Sequence, residues 1–249
     1  MGYEKVTAVI LAAGQGKRMG TDVPKQYLRI RGHEVLYYSL KAFEESCVDE
    51  IILVAGEQDM EYCQRQIVEK YGFQKVAKII SGGQERYDSV YAGLLAADDC
   101  SYVLIHDGAR PMVTPEIISR VLDGAMTYDS CTTGMPVKDT IKISDESGMA
   151  VDTPERGSLW TIHTPQGFSY PVILEAHRRF RQGSYRISVT DDTMLAEIFL
   201  RKRAKLVEGD YRNIKVTTPE DIAAAEAFLR ERDVSENTQA GLRQNGVVL

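Results

Sequence analysis

The first half of the chain alternates short apolar runs with segments that predict helices. The apolar runs predict buried strands, because continuous, β-branched sequence is typical of parallel strands covered on both faces. The predicted strands are residues 6–11, 51–54, 76–80 and 102–105, and the predicted helices are 35–46, 59–71, 86–97 and 115–128. This order predicts an α/β domain with a mainly parallel sheet, helices on both faces and ligands at the carboxyl ends of the strands.

The rhythm changes in the middle of the chain, where the sequence predicts a β-hairpin. Residues 135–143 and 149–152 read as its strands and residues 144–148 as its turn, within an arm that spans 136–160. An arm inside an α/β domain cannot bury both of its own faces. We therefore expect it to pack on a second copy of the chain and form a homodimer, the alternative being a hairpin that lies flat on its own domain.

The remaining elements are short and end in one long helix. The sequence predicts helices at 171–181 and 191–202 and strands at 204–207 and 214–216. Thr218 is the predicted N-cap of the last helix, which begins with Pro219 and ends at about Arg232. We expect residues 1–233 to form a single domain and residues 234–249 to form a mobile C-terminal tail.

The composition is that of an ordinary globular enzyme. The 249 residues are 43% hydrophobic and 27% charged, with a net charge of −6, which argues against general nucleic-acid binding. The four cysteines form no C-x-x-C pair, so we expect free thiols in a reducing compartment. With no apolar run of membrane-spanning length and no signal peptide, we expect a cytoplasmic protein without a membrane partner.

The strand at 6–11 runs into a loop that is rich in glycine and in positive charge. Glycine lets backbone N–H groups approach an anion, and cations offset its charge, so the loop predicts a phosphate site. Its glycines are Gly14, Gly16 and Gly20, and its cations are Lys17, Arg18 and Lys25. An ordinary glycine-rich βα turn is the alternative.

Two well-known phosphate loops are excluded by their missing residues. In a Walker A loop, Leu11 would have to be glycine and Arg18 would have to be serine or threonine. In the dinucleotide fingerprint, Met19 would have to be glycine, and the acidic residue expected about 20 positions further on is missing.

A second cluster follows the predicted strand at 76–80. Gly82 and Gly83 lead into a helix that begins with Arg86 and carries Ser89. Backbone groups beside Gly83 and the hydroxyl of Ser89 are suited to hydrogen-bond a pyrimidine edge. A helix-capping loop with a solvated arginine is the alternative.

A third cluster follows the predicted strand at 102–105. Asp107 stands where an α/β enzyme places a carboxylate that binds a metal, and Arg110 is near enough to grip a phosphate. Asp107 as a helix cap or as a partner of Arg110 is the alternative. His106, taken alone, is typical of a hydrogen-bonded structural histidine.

Nine motifs occur in a fixed order: AAGQGKRM, PKQ, GGQERYDSV, HDGARP, PVKDT, ERGSLW, HTPQGF, TDDTMLAE and NIKVTTPED. Over about residues 6–232 this set closely resembles the 2-C-methyl-D-erythritol 4-phosphate cytidylyltransferases of the non-mevalonate isoprenoid pathway. The resemblance implies a Rossmann-like nucleotidyltransferase domain with a protruding arm. It also implies that CTP and the polyol phosphate react to give the CDP-alcohol and pyrophosphate, with Mg²⁺ or another divalent cation.

The resemblance assigns roles residue by residue. Arg18, Lys25, Arg156 and Lys215 are the implied catalytic residues, which meet the charge on the phosphates. The implied nucleotide-binding residues are Ala12, Ala13, Gly14, Gly16, Gly83, Gln84, Arg86 and Ser89. The implied acceptor-binding residues are Asp107, Arg110, Thr140, Arg156, Thr164, Thr190, Asp191 and Lys215, and Asp107 is also a candidate ligand for a cation that the CTP phosphates mainly hold. Thr140 and Arg156 come from the arm, which in this family swaps into the other subunit.

Three positions depart from the family pattern. Gln84 stands where some members have Asp, Leu11 stands where some have Pro, and Gly108 stands where Ala is usual, a change that affects packing more than chemistry. The acceptor phosphate is already an anion, so catalysis is expected from positioning and electrostatics rather than from a general base. The rivals are a ribitol 5-phosphate cytidylyltransferase, an enzyme that joins UTP or another nucleotide to a sugar 1-phosphate, and a nucleotide-binding regulator without turnover.

Overall fold

The computed structural model describes residues 4–14, 19–20, 23–97, 99–183, 185 and 187–244, with side chains as far as Val234. Its strands are β1 Val6–Ala12, β2 Arg29–Ile30, β3 His33–Glu34, β4 Glu50–Ala55, β5 Val76–Ser81, β6 Tyr102–Asp107, β7 Ser130–Pro136, β8 Ile143–Ser144, β9 Ala150–Asp152, β10 Trp160–Ser169 and β11 Lys205–Glu208. All four strands predicted in the first half are present, each one or more residues longer than predicted.

The helices follow the predicted order. They are α1 Val35–Glu44, α2 Met60–Tyr62, α3 Arg86–Ala96, α4 Pro115–Tyr128, α5 Tyr170–Gln182, α6 Asp192–Leu200 and α7 Pro219–Gln244. A π-helix, Cys63–Glu69, continues α2, and 3-10 turns lie at Lys25–Tyr27, Glu57–Asp59 and Arg156–Ser158. The bounds predicted for α4 are confirmed, and Thr114 caps it by accepting a hydrogen bond from the Ile117 amide.

One seven-stranded sheet forms the centre of the molecule, in the order β11-β7-β10-β6-β1-β4-β5. The strand β1 pairs in parallel with β4 and β6, and β5 extends this parallel half. The strand β10 is antiparallel to both β6 and β7, and β11 pairs in parallel with β7. The predicted mainly parallel sheet is therefore confirmed, with one reversed strand inserted in it.

Side chains of the central strands alternate between two apolar clusters, one on each face of the sheet. Ile10 packs with Phe43 of α1 on one face, and α4 covers the same face. Val9 packs with Leu94 of α3 on the other face, together with residues of α5 and α6. Both faces of β1 are thus buried, which explains why its sequence is a continuous apolar run.

The strand β10 has no counterpart among the predicted elements. Its sequence includes Pro165 and Gly167, two residue types that are depleted in strands. The register with β7 shifts between Ile162 and Gln166, and this irregularity accommodates the proline, which cannot donate to a ladder. Pairing with long-range partners thus overrides the local preference.

Three predicted bounds are wrong. The hairpin strand predicted at 135–143 is interrupted, because β7 ends at Pro136 and β8 begins at Ile143. Residues 214–216 form no strand, since the Val216 amide donates to the carbonyl of Ala109 rather than to a sheet neighbour. The last helix passes its predicted end at residue 232, because no proline interrupts it and an established helix adds one hydrogen bond per residue.

The arm projects from the sheet. Every residue from 138 to 153 is exposed, including the apolar side chains of Ile141, Ile143, Met149 and Val151. The hairpin turn is closed by hydrogen bonds between Asp145 and the residues that follow it. A hairpin folded flat on its own domain would have buried these apolar residues. None of the helices in the described part of the chain is long and apolar enough to cross a membrane.

Helix α3 packs so closely on β1 that the contact has room only for a glycine at position 93. A Cβ added at Gly93 would lie 2.4 Å from the Cγ1 atom of Val9. At an open helical site, alanine stabilises by up to about 1 kcal/mol relative to glycine. We expect Gly93→Ala instead to lower the free energy of unfolding by about 1–3 kcal/mol, measured by urea denaturation.

The control is a double-mutant cycle with Val9→Ala, which removes the methyl group nearest to the new Cβ. Val9→Ala alone should destabilise by about 2 kcal/mol through its cavity. The double variant should lose less than the sum of the single losses, because the clash no longer exists. Additive losses would show that the clash at Val9 is not the cause.

Candidate active site

Two adjoining cavities open at the carboxyl ends of the parallel strands. The first has a volume of about 510 Å³ and the second about 480 Å³. Arg86, Asp107 and Lys215 line both cavities and form the wall between them. This is the place at which an open α/β sheet binds its ligands.

The first cavity brings together most of the residues implied for nucleotide binding. Those that line it are Ala12, Ala13, Gly14, Gly83, Gln84, Arg86 and Ser89, with Lys25 from the implied catalytic set. Gly16 and Arg18 lie outside the described residues. The side-chain Nε2 of Gln26 donates to the carbonyl of Ala12 over 2.6 Å, which ties the Lys25–Tyr27 turn to the end of β1. This hydrogen bond positions Lys25 beside the first cavity, at the carboxyl end of β1.

The glycine pair before α3 is required by close packing. A Cβ at Gly82 would lie 2.4 Å from the Cβ of Ala13 and 2.8 Å from Oγ of Ser89. The Gly83 amide donates to that same Oγ over 3.1 Å. The serine hydroxyl therefore fixes the β5–α3 loop against the first turn of α3. Ala13, Gly83 and Ser89 together form a slot at one side of the cavity.

The wall between the cavities is organised by the carboxylate of Asp107. Arg86 Nε donates to Asp107 Oδ1 over 3.2 Å, and Lys215 Nζ donates to Oδ2 over 2.8 Å. Arg110 Nε lies 3.9 Å from Oδ2. The predicted alternative, in which Asp107 pairs with Arg110, is thus only the weakest of three cationic contacts. Burial alone would raise the pKa of Asp107, but these cations hold it well below its usual range.

The second cavity brings together residues implied for acceptor binding. Asp107, Arg110, Thr164, Thr190, Asp191 and Lys215 all line it. Thr164 Oγ accepts from the Asp107 amide, and the Thr164 carbonyl accepts from the side chain of Asn213. The Asn213 carbonyl in turn accepts from Arg110 over 2.8 Å. Strand β10 and the 209–217 loop are therefore fastened to the end of β6.

Two implied site residues lie away from both cavities in this chain. Thr140 and Arg156 belong to the arm and are exposed. Arg156 Nη1 donates to the carbonyl of Lys138, which keeps the guanidinium at the base of the arm. Neither residue lines the cavities described above.

Sequence reasoning missed two buried polar residues at the second cavity, Gln166, which lines it, and Asp192, which lies behind it. Gln166 donates to Asp191 and to Thr132, and its Oε1 accepts from the Asp192 amide. Asp192 Oδ2 lies 2.8 Å from Arg86 Nη1. The two adjacent acids at the start of α6 were the available signal, but only the fold separates the cavity-lining Asp191 from the buried Asp192.

Among the described residues, no group of three or more acidic, histidine or cysteine side chains is arranged to hold a metal ion. Both oxygens of Asp107 already accept hydrogen bonds from cations. The surroundings therefore suit an anion better than a resident metal. A divalent cation fits this site only as a companion of a polyphosphate.

Two adjoining cavities that share an arginine, an aspartate and a lysine at the carboxyl ends of a parallel sheet are typical of an enzyme that brings two substrates together. A family model for 2-C-methyl-D-erythritol 4-phosphate cytidylyltransferase matches residues 6–231. The chain is 48% identical over 229 residues to the enzyme of that name from Lachnoclostridium phytofermentans, an alignment that covers 92% of this chain and 97% of the relative. The corresponding relative from Caldanaerobacter subterraneus is 49% identical, with 91% and 99% covered.

A solved structure agrees with the sequence relatives. The crystal structure of 4-diphosphocytidyl-2C-methyl-D-erythritol synthase from Anaerococcus prevotii superposes with a TM-score of 0.80 at 34% identity, covering 91% of this chain and 96% of that one. The chain belongs to the 2-C-methyl-D-erythritol 4-phosphate cytidylyltransferase family, a family of nucleotidyltransferases.

The buried histidine beside the site gives a pH prediction. His106 is fully buried, its Nδ1 lies 3.1 Å from Thr164 Oγ, and burial lowers the pKa of its imidazole to about 3. Burial, with the charge of Arg110, lowers the pKa of His163 to about 4. Below pH 6.5 these two histidines are protonated in the unfolded chain but stay neutral in the folded chain. The free energy of unfolding therefore decreases as the pH is lowered.

We expect the stability of the protein, measured by urea denaturation, to fall by about 2–4 kcal/mol between pH 7 and pH 5. His106→Asn should reduce this loss by roughly half, because one of the two histidines is no longer involved. An unchanged pH dependence in the variant would show that His106 takes up its proton equally in the folded and unfolded states.

Proposed function

We propose that the protein transfers the cytidylyl group of CTP to 2-C-methyl-D-erythritol 4-phosphate, releasing pyrophosphate. The observation that carries the proposal is the shared wall of Arg86, Asp107 and Lys215 between two adjoining cavities. Group transfer between two phosphorylated molecules requires that they meet at one point, and this wall is where their phosphates meet. The family membership assigns the two substrates.

The nucleotide occupies the first cavity. Its base enters the slot between Ala13, Gly83 and Ser89, where backbone groups and a hydroxyl read a pyrimidine edge. Its triphosphate runs toward Lys25 and the glycine-rich loop, which includes the implied residues Gly16 and Arg18. The side chain of Gln84 lies at the rim of the cavity, in the position where some family members have Asp.

The acceptor occupies the second cavity, with its phosphate toward the cationic wall. Arg110 and Lys215 hold this phosphate, while Thr190 and Asp191 are placed to hydrogen-bond the polyol. A phosphate oxygen of the acceptor attacks the α-phosphorus of CTP, and the bond from that phosphorus to the bridging oxygen breaks. The electron pair leaves with pyrophosphate, and no proton has to be removed from the attacking oxygen.

Electrostatic stabilisation therefore provides most of the rate. Two anions must approach each other, and the crowded phosphorus gathers negative charge during the attack. Preorganised cations such as Lys25 and Lys215 meet this charge without rearrangement, which is the usual source of large rate effects in such sites. A divalent cation, Mg²⁺ among them, supplies charge neutralisation when it arrives bound to the triphosphate.

We further propose that the protein is a homodimer held by the arm. Support comes from the exposed apolar side chains of Ile141, Ile143, Met149 and Val151, which water would disfavour on an isolated arm. Thr140 and Arg156 would then reach the acceptor cavity of the other subunit. A cytoplasmic location is consistent with the four free cysteines, Cys47, Cys63, Cys100 and Cys131.

Substrate choice is tested by pyrophosphate release from the purified protein with Mg²⁺. We expect release with CTP and methylerythritol phosphate, and much less when UTP replaces CTP, because the slot is matched to a cytosine edge. Ribitol 5-phosphate serves as the second acceptor. Release with ribitol 5-phosphate alone would assign a different acceptor to the same site, and release with neither would contradict transferase activity.

The shared site is tested with mixed dimers. Lys25→Ala should lower the rate by about 10²–10³, as expected for the loss of one preorganised donor, and Arg156→Ala should also be strongly impaired. A heterodimer that carries one substitution in each subunit, purified through two different affinity tags, rebuilds one intact site if Arg156 acts across the interface. It should recover roughly half of the wild-type rate. A heterodimer no more active than either variant would place Arg156 in its own subunit's site.

A further inference from the structure

Asp192 is a fully buried carboxylate that lies behind the wall between the two cavities. It is the first residue of α6, directly after the cavity-lining Asp191, and its exposed fraction is 0%. A group without exposed surface cannot touch a substrate. We infer that Asp192 is a positioning residue, which orients the guanidinium of Arg86 and, through Asp107, the ammonium of Lys215. The inference deepens the proposed function and rests on it.

The position of Asp192 is fixed by hydrogen bonds to the sheet as well as by its own helix. Its amide donates to Gln166 Oε1 over 2.9 Å, and Gln166 Nε2 donates to Asp191 Oδ2 over 2.8 Å. Gln166 lies in β10, next to β6. The start of α6 is thus hydrogen-bonded to β10, which pairs with the strand that carries Asp107. A displacement of Asp192 would therefore require a change in the sheet.

Arg86 links Asp192 to the catalytic wall by using two sides of its guanidinium. Nη1 lies 2.8 Å from Asp192 Oδ2, and Nε donates to Asp107 Oδ1 over 3.2 Å. A planar guanidinium held at two sides by two carboxylates has its orientation determined, which one carboxylate and a point charge cannot achieve. By fixing the orientation of the guanidinium, Asp192 therefore determines that Arg86 donates its hydrogen bond to Oδ1 of Asp107.

The remaining oxygen of Asp107 positions the acceptor-side lysine. Oδ2 accepts from Lys215 Nζ over 2.8 Å, whereas Arg86 takes Oδ1. Without the charge of Asp192, Asp107 becomes the stronger attraction for the guanidinium, which then moves toward both Asp107 oxygens. The hydrogen bond from Lys215 to Oδ2 of Asp107 then weakens, and the ammonium group is no longer held in one position. The phosphate that it holds should bind less well.

A purely structural role would have different consequences. His177 Nε2 also lies 3.5 Å from Asp192 Oδ1, so Asp192 could serve only to join α5 to α6. Its substitution would then lower stability without selective effects on either substrate. Leu195→Ala provides the matched control, because Leu195 is buried in the same helix but lines neither cavity.

The experiment compares steady-state kinetics of the wild type, Asp192→Asn, Arg86→Lys, the double variant and Leu195→Ala, with CTP and methylerythritol phosphate varied in turn. Asparagine keeps the volume of Asp192 and leaves Arg86 paired with Asp107. We expect Asp192→Asn to reduce kcat/KM for the acceptor about tenfold, with a larger rise in KM for the acceptor than for CTP. Leu195→Ala should lower the thermal midpoint without this split between the substrates.

The double variant reports whether Asp192 acts through Arg86. Lysine keeps the charge at position 86 but has a single nitrogen in place of the Nε and Nη1 atoms that contact Asp107 and Asp192. Asp192→Asn should therefore cause no further loss of kcat/KM in the Arg86→Lys background. Additive losses, equal changes of KM for both substrates, or the same split in Leu195→Ala would each overturn the inference. If Arg86→Lys does not fold, the split in Asp192→Asn alone decides. A wild type without turnover would refute the proposed function first, and the inference with it.

Discussion

The carboxylate of Asp107, which is almost completely removed from water, is compensated by three cations, one from the adjoining turn and two from distant parts of the chain. Arg86 comes from α3, Arg110 from the turn after β6, and Lys215 from the segment before α7. A buried charge without partners would be destabilising by several kcal/mol, so these contacts have to form together. The end of β6, the start of α3 and the 209–217 loop are consequently fixed relative to one another, and both cavities take their shape from this junction.

The same junction gives the site its chemical character. Asp107 and Asp192 neutralise much of the charge of Arg86, Arg110 and Lys215, but one positive charge remains in excess. In the proposed reaction, fixed and partly neutralised cations attract the phosphates of both substrates and do not need to reorganise when charge develops between them. An unpaired cluster of cations would repel itself and would hold each side chain less firmly. The two carboxylates thus hold the cationic side chains in fixed positions, although they also reduce the positive potential of the wall.

The arm follows a different principle from the body of the molecule. In the body, side chains interdigitate so closely that Gly93 leaves no room for a methyl group beside Val9. In the arm, residues from 138 to 153 are all exposed, and apolar side chains such as Met149 and Val151 are not covered by any other described residue. A small two-stranded ribbon is only marginally stable by itself. The arm is therefore the part of the described chain that its own contacts stabilise least.

Local patterns in the sequence were sufficient for the elements of the parallel half of the sheet and for the loops at its carboxyl ends, because periodicity, caps and glycines act over a few residues. The motifs also identified Ala13, Lys25 and Asp107 as site residues by resemblance, and these residues do line the cavities. Only the tertiary structure decided the reversed strand β10, whose proline and glycine conceal it, and the loop that residues 214–216 form in place of a strand. It also decided the wall itself, since Lys215 meets Asp107 across 108 residues of sequence and Asp192 meets Arg86 from another helix. Such pairings depend on which strand ends and helix starts lie side by side, and that is a property of the packed chain rather than of any local segment.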